Sequence, residues 1–228
     1  MYEDLAELAL NEAARLGADH ADVRIQVVRS EFVLVENKVL RSYESSEVSG
    51  LSVRVLVHGS WGLASTTRLE RPAVREAVER ALKIARSSAK RARQVELAEV
   101  EVVERSFSSP CKLRPVDVAP EEKVELLVDM NREALSVEGV KNAMARLGAI
   151  EEYLYFASTE GARLSLDRTL TGIMYSSVAE HEGRMERTWD SYSACAGWEL
   201  VKEVDWAGEA RDISLLAVET AKVESPKA

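Results

Sequence analysis

The stretch Ser49-Gly50-Leu51-Ser52-Val53-Arg54-Val55-Leu56-Val57-His58-Gly59-Ser60-Trp61-Gly62 decides the fold class of this 228-residue chain. Apolar residues recur at every second position from 51 to 57, as in a β-strand with one buried face. The glycine-containing run 58–62 predicts a tight hairpin turn, because glycine adopts positive φ without steric cost. This part of the chain therefore predicts antiparallel sheet.

Four amphipathic helices are predicted around the strands. The first ends near Gly17, which suits the position after a helix C-terminus, and the second and third open at Pro72 and Pro120. The fourth is expected from about Glu209 to Val223 and to be stopped by Ser225-Pro226. Its inward-facing residues are predicted to be Ile213, Leu216, Ala217 and Thr220.

The order of elements predicts an α+β fold made of two consecutive units of antiparallel β-sheet flanked by helices. Helix, strands and helix come first, a segment with two prolines follows, and the same order then returns, which suggests a structural duplication. Further strands are expected at 23–28, 32–35, 39–43, 143–150, 153–157, 164 onward, 170–179 and toward Trp198. We predict an N-terminal domain at 1–106, a connector at 107–119 and a second domain at 120–228.

Composition and charge limit the partners and the cellular location that we expect for this chain. The formal net charge of −9 disfavours a nucleic-acid partner, because affinity for phosphates comes mainly from Lys and Arg. The acidic, amphipathic start does not resemble a signal peptide and no apolar run could span a bilayer, so we expect a cytoplasmic protein without a membrane partner. Cys111 and Cys195 alone cannot form a disulfide framework. The six Asn and Gln residues suggest a thermophilic source.

Motifs that carry chemistry are scarce. The segment Glu180-His181-Glu182 has a His-Glu pair but lacks the second His of a helical zinc motif, and His181 with Cys195 is a weak metal candidate. All three histidines are expected in turns or at strand ends. Neighbouring carboxylates such as Glu151-Glu152 should point to opposite faces of a strand, which is unsuitable for an acid/base pair. We therefore predict no catalytic, cofactor-binding or metal-binding residue in this chain.

Two other features have both a structural and a functional interpretation. The basic run from Lys83 to Arg93 fits a solvated helix C-terminus, whereas an acidic partner is the alternative. Four large aromatic residues lie within eighteen positions and belong either to the core or to an apolar wall that contacts an extended peptide added to a sheet edge. This candidate peptide-contact wall consists of Trp189, Tyr192, Trp198 and Trp206.

The run 49–88 resembles the N-terminal signature of the TldD/PmbA family, and the second half is similar to the central region of that family. The matching positions are Gly50, Arg54, Val55, Gly62, Leu63, Ala64, Ser65, Thr66, Ala85, Arg86 and Ser87, then Ser158-Thr159-Glu160-Gly161 and Thr169. Leu63 and Ser158 are mild departures, since the family often has Phe and Asn there. The resemblance covers nearly all of the chain.

The resemblance implies a cytoplasmic zinc metallopeptidase, also called a modulator of DNA gyrase, that acts on peptides or unfolded proteins as a homo- or heterodimer with a TldD/PmbA-like subunit. The zinc of that family is held by an HExxxH helix in the C-terminal half, and this sequence contains no HExxxH. We therefore expect this chain to be the non-catalytic N-terminal half, serving as scaffold, dimer surface and peptide-channel wall, and inactive alone. A stand-alone peptide-binding or companion module is the alternative, and an enzyme with an unrecognised site is a third.

Overall fold

The computed structural model describes residues 2–89 and 95–223. Within these residues the chain forms five α-helices and seven β-strands. In chain order they are α1 (Tyr2–Arg15), β1 (His20–Glu36), β2 (Val39–Val57), β3 (Ser60–Thr66), α2 (Arg71–Ser88), β4 (Glu104–Ser108), α3 (Pro120–Ser136), β5 (Val140–Ser158), β6 (Arg163–His181), β7 (Arg184–Ala194), α4 (Glu199–Lys202) and α5 (Trp206–Lys222). None of the helices in the described ranges is long and apolar enough to cross a membrane.

The seven strands belong to one sheet with the order β3-β2-β1-β5-β6-β4, and β7 also pairs with β6. The β2–β3 and β6–β7 pairs are antiparallel, whereas β4 runs parallel to the first residues of β6. One edge of β6 is thus shared, with residues 163–167 opposite β4 and residues 171–181 opposite β7. The predicted α+β fold with antiparallel sheet flanked by helices is confirmed.

The chain divides into two compact units that interleave in sequence. Unit 1 comprises the described residues of Met1–Val28, Glu47–Ser108 and Glu152–Arg168. Unit 2 comprises those of Arg29–Ser46, Ser109–Glu151 and Thr169–Ala228. The units interleave because β1, β2, β5 and β6 are long enough to contribute residues to both. The sequence-based division at 1–106, 107–119 and 120–228 stays a prediction, as does the duplication.

Unit 1 has a core made by α1 and α2 against the sheet. Buried positions alternate along β2 from Leu51 to Val55, as the sequence predicts, and Leu56 and Val57 are both buried; α2 contributes a stripe of mostly Ala and Val side chains. The approach of α2 to β3 is close at Gly62, where an added Cβ would lie 2.7 Å from the backbone nitrogen of Ala85. A hydrogen atom in place of a side chain lets the helix pack directly on the strand.

Unit 2 has its own core, built by α3 and α5 on the sheet. Leu127 and Met130 of α3 are fully buried with Leu147 of β5, and Trp198 and Trp206 complete the cluster. The hydroxyls of Ser177 on β6 and Ser214 on α5 are 2.6 Å apart. Small side chains such as these allow α5 to lie close to the sheet.

The structure corrects the predicted face of the last helix. α5 begins at Trp206 rather than Glu209, and Leu216 is 49% exposed while Thr220 is also exposed, so their inward placement was wrong. Ala217 is buried and Ile213 is partly buried. The buried positions of α5 are Trp206, Ala210, Ser214, Ala217 and Ala221. Because α5 packs closely on the sheet, small residues occupy most of its buried face. The positions of the large apolar residues therefore did not identify that face. The predicted stop at Ser225-Pro226 lies outside the described residues.

The strands are longer and fewer than predicted. β1 and β5 each run without a break through two predicted strands, and β7 ends at Ala194, short of Trp198. The turn after β2 comprises only His58 and Gly59, both with positive φ, and β3 begins at Ser60. β4 spans the predicted boundary between the N-terminal domain and the connector; all five of its residues are exposed and they show no apolar alternation.

Candidate functional site

The structure brings two of the four predicted wall residues together and places the other two elsewhere. The rings of Tyr192 and Trp206 have centroids 6.4 Å apart, and Tyr175 contacts Trp206 at the same centroid distance. Trp198 is 1% exposed and its indole N–H donates to the Glu122 carboxylate at 2.9 Å. Trp198 is therefore a core residue.

Trp189 lies on the other face of β7. Thr188, its neighbour, donates its hydroxyl to the carbonyl of Ile213 on α5, so the even-numbered side chains of β7 face that helix. Trp189 and Met185 therefore point away from α5, and they are 62% and 61% exposed. They are two exposed apolar side chains on the same face of β7 in unit 2.

The paired aromatic residues line a pocket of about 550 Å³ within unit 2. We call it the acidic aromatic pocket, and its principal residues are Tyr175, Asp190, Tyr192, Glu203, Trp206 and Glu209. Strand β6 supplies Tyr175, β7 supplies Asp190 and Tyr192, and Trp206 opens α5. Asp205 caps α5 by accepting a hydrogen bond from the Gly208 N–H at 3.1 Å.

The electrostatics of the acidic aromatic pocket are dominated by negative charge. Burial, together with the nearby carboxylates of Glu209, Asp190 and Asp212, raises the pKa of Tyr175 to about 12. The Tyr175 hydroxyl also donates to Glu209 at 3.3 Å. A pocket that combines aromatic rings with carboxylates is suited chemically to holding a cation.

The histidines lie where the sequence predicts, at strand ends or in a turn, and they do not fit a zinc centre. His181 is opposite Arg184 at one end of the β6–β7 pair, whereas Cys195 follows Ala194, which is opposite Thr171. About ten residues of strand separate the two positions, or about 30 Å. No group of three or more His, Cys, Asp or Glu side chains in residues 2–89 and 95–223 is arranged to hold a metal ion.

A polar cluster around His20 in unit 1 was not predicted. The imidazole lies 3.5 Å from both the Asp22 and the Glu160 carboxylates, and its ring meets the edge of Trp61. Asp22 also pairs with Arg54, whose guanidinium lies 4.3 Å from the Trp61 ring centroid. The sequence gives no signal for this cluster because its members come from four separate segments.

The Thr159 hydroxyl in the His20 cluster is held mainly by the backbone. It lies 3.5 Å from His20 Nδ1, accepts a hydrogen bond from the Ala21 N–H at 3.0 Å and donates to the Ala21 carbonyl at 3.3 Å. Because the hydroxyl proton goes to the Ala21 carbonyl, Thr159 fixes the β5–β6 turn against β1. The arrangement is consistent with a structural role for His20.

The other candidates are also engaged in structural contacts. Glu151 accepts hydrogen bonds from Arg114, whereas Glu152 accepts them from Gln26 and Arg168, so the two carboxylates have separate partners. In the basic run, the Arg86 guanidinium donates to the Leu16 carbonyl at 2.5 Å, consistent with the structural interpretation. Lys90, Arg91 and Arg93 lie outside the described residues.

Comparison with protein families gives two matches along the chain. Residues 21–85 match the model described as PmbA/TldA metallopeptidase domain 1. Residues 113–223 match the PmbA/TldA metallopeptidase central domain. Together the matches cover well over half of the chain and agree with the resemblance found from the sequence.

Individual relatives are about twice as long as this chain. A metalloprotease of Methanothermobacter thermautotrophicus is 26% identical over 209 residues, which are 91% of this chain and 44% of the relative. The solved structure of a protein from Bacteroides thetaiotaomicron, described as a modulator of DNA gyrase, superposes on this chain with a TM-score of 0.75 at 17% identity. The superposition covers 96% of this chain and 49% of the other. TldE from Thermococcus kodakarensis gives a TM-score of 0.65 at 15% identity, covering 96% and 47%. The two structures share the fold.

Proposed function

Because the chain belongs to the PmbA/TldA metallopeptidase family, we propose that it forms the non-catalytic N-terminal half of a zinc metallopeptidase. In this role it is the scaffold for the catalytic half, a dimer surface and part of the wall of a peptide channel. Its partners are a peptide or unfolded-protein substrate and a like or unlike TldD/PmbA-type subunit in the cytoplasm. Zinc belongs to residues outside this chain, which is inactive alone.

The observation that carries this proposal is the extent of the family matches. The chain matches the first and central domains and spans about 44% of the M. thermautotrophicus metalloprotease. This relative is named a metalloprotease. Within the described residues, no group of three or more His, Cys, Asp or Glu side chains is arranged to hold a metal ion. We therefore assign the chemistry to the remaining half.

Peptide contact is supported by the outer edge of β7. In the described part of the chain, β6 is the one strand that pairs with β7, so the other edge of β7 offers its backbone groups to a second chain. Tyr192 belongs to this edge strand, and its ring contacts Trp206 of α5. An extended peptide that adds as a strand gains backbone hydrogen bonds there and places alternate side chains on the aromatic rings.

The same edge favours a second candidate function, a stand-alone peptide-binding or companion module of a TldD/PmbA-type complex. Such a module needs a peptide-binding edge and a partner surface but no catalytic residue of its own. The two candidates differ in the length of the mature polypeptide and in whether a separate catalytic subunit accompanies it.

Intact-mass measurement of the protein from its native cells tests the proposal. A polypeptide of roughly double the 25.3 kDa of this chain, with bound zinc and peptidase activity, supports the half-enzyme proposal. A 25.3 kDa polypeptide that co-purifies with a separate zinc peptidase supports the companion module. A 25.3 kDa polypeptide that alone binds zinc and cleaves unfolded protein contradicts both.

A further inference from the structure

The lining of the acidic aromatic pocket has an unbalanced charge. Asp190, Glu203 and Glu209 contribute three carboxylates, and the other lining residues are aromatic, aliphatic or hydroxyl-bearing. Among the described residues that line the pocket, none is Lys, Arg or His. A ligand that enters the pocket therefore meets these three negative charges without a compensating cation from this lining.

The strand register explains why these side chains converge. Tyr175 of β6 lies directly opposite Asp190 of β7, and Ile173 lies opposite Tyr192. Residues opposite each other in an antiparallel pair point to the same face, here the face covered by α5. The first turn of α5 then adds Trp206 and Glu209 to that face.

The three carboxylates are available to a ligand. Glu209 accepts a hydrogen bond from Tyr175, and Asp190 accepts one from the backbone N–H of Ser191 at 2.7 Å. Within the ranges that the structure describes, none of the three forms a salt bridge. Each keeps acceptor capacity for an ammonium or guanidinium group.

One of the two aromatic rings is open to a cation. The Trp206 side chain is 3% exposed and its indole N–H is satisfied by the Val201 carbonyl at 2.8 Å, so Trp206 supports the pocket from the core. Tyr192 is inclined at 41° to the Trp206 ring and is 52% exposed. A guanidinium in the pocket would meet the exposed Tyr192 ring and the carboxylates together, which is the usual chemistry of cation–π recognition.

The free edge of β7 determines how such a cation is presented. Asp190 and Tyr192 belong to this edge strand, so a peptide paired along it would direct every second side chain toward the pocket. We propose that the acidic aromatic pocket binds an arginine or lysine side chain of an extended peptide that pairs with the outer edge of β7. This inference rests on the proposed peptide contact and adds a preference for basic side chains.

The test compares end-blocked, dye-labelled peptides that differ at one position. One carries a single arginine among serine, threonine and valine residues, and the other carries neutral citrulline, which has nearly the same shape. Fluorescence anisotropy with the full 228-residue chain measures both affinities. We expect the arginine peptide to bind about tenfold more tightly, with an advantage that shrinks as salt is added.

Two variants test whether the acidic aromatic pocket is the source of the tighter binding of the arginine peptide. Asp190→Asn combined with Glu203→Gln should abolish the advantage of arginine over citrulline. Glu219→Gln, which removes an exposed carboxylate farther along α5, should leave the advantage unchanged. Retention of the full advantage by the double variant would overturn the assignment to this pocket.

The peptide pair also separates the inference from the proposed function. Equal binding of both peptides leaves peptide contact intact but overturns the preference for basic side chains. Binding of neither overturns both. Free agmatine, the decarboxylated form of arginine, is the third probe. Agmatine that binds as tightly as the arginine peptide would overturn the role of the β7 edge.

Discussion

The ammonium group of Lys123 on α3 is fully buried and forms an ion pair with the carboxylate of Glu31 on β1. The second oxygen of Glu31 accepts a hydrogen bond from the Tyr43 hydroxyl at 3.0 Å. Together the contacts connect α3, β1 and β2 inside unit 2. Two opposite charges removed from water depend on each other, because either alone would be uncompensated.

Loss of Lys123 alone should therefore be strongly destabilising. Lys123→Met leaves the Glu31 carboxylate without its cation, and we expect the free energy of unfolding to fall by about 3–5 kcal/mol. The combined Lys123→Met and Glu31→Met variant should recover more than half of the loss. Urea unfolding followed by circular dichroism measures both.

The exposed pair of Arg132 and Asp129 on the same helix provides the control. Arg132→Met should cost less than about 1 kcal/mol, since solvent screens this pair. A loss from Lys123→Met no larger than that from Arg132→Met would contradict the proposed dependence of the buried charges on each other.

Glu199 should connect residues 112–113 to residues 197–199, and the strength of this connection should depend on pH. Burial raises the pKa of Glu199, but backbone N–H donors, including those of Lys112, Gly197 and Leu113, outweigh it and lower the pKa to about 2. The stabilisation is complete above the unfolded value near 4.5 and is lost as pH falls toward 2.

Glu199→Gln should remove the charge-assisted part of these bonds and lower the free energy of unfolding by about 1.5–3 kcal/mol at neutral pH. Its stability should also depend less on pH between 4.5 and 2 than that of the parent chain. Glu203→Gln, four residues away and exposed, is the matched control. Equal effects of the two substitutions at neutral pH would count against the assigned role.

Gly62 should tolerate no side chain, because its Cβ would enter the backbone of α2 at Ala81 and Ala85. Gly62→Ala is expected to destabilise unit 1 by about 3 kcal/mol through overpacking. Leu63→Ala, the neighbouring residue with a 59% exposed side chain, should change stability by less than about 1 kcal/mol. Thermal unfolding compares the two, and similar melting temperatures would be the contradictory result.

The exposed side chains of Met185 and Trp189 on one face of β7 should make the chain self-associate or bind an apolar dye. Trp189→Ser combined with Met185→Ser should reduce dye fluorescence and shift the chain toward monomer in sedimentation. Val100→Ser, at a 67% exposed position outside β7, is the control. A monomeric parent chain without dye binding would argue against the scaffold role.

The zinc expectation can be checked directly. The purified chain should retain less than one equivalent of zinc after dialysis, because the described residues bring no three ligand side chains together. Elemental analysis by mass spectrometry provides the measurement. A tightly bound equivalent would revive the interpretation that this chain is an enzyme with its own site.

The α+β class and two of the helix starts were predictable because their signals are local. Pro72 and Pro120 lie in the first turns of α2 and α3, and alternation marks β2 from Leu51 onward. β4 was not predictable, since its residues are exposed and it exists only through pairing with β6. The burial of Leu216 was predicted wrongly because α5 lies close to the sheet, which selects small residues for its buried face.

The candidate site was predictable only in part. The cluster of aromatic residues drew attention to Tyr192 and Trp206, which do meet, but the sequence could not show that Trp189 lies on the opposite face. The carboxylates that complete the pocket depend on the β6–β7 register, as does Tyr175. Such information is non-local and enters only when the strands pair.

The adjacent carboxylates Glu151 and Glu152 have a consequence for the folding of β5. Because neighbouring residues of a strand face opposite sides, a slip of one residue would exchange the surroundings of the two charges. Glu151 would lose Arg114, and Glu152 would lose Gln26 and Arg168. The loss of these hydrogen bonds disfavours a shifted pairing of this nineteen-residue strand, so the two glutamates help to fix its register.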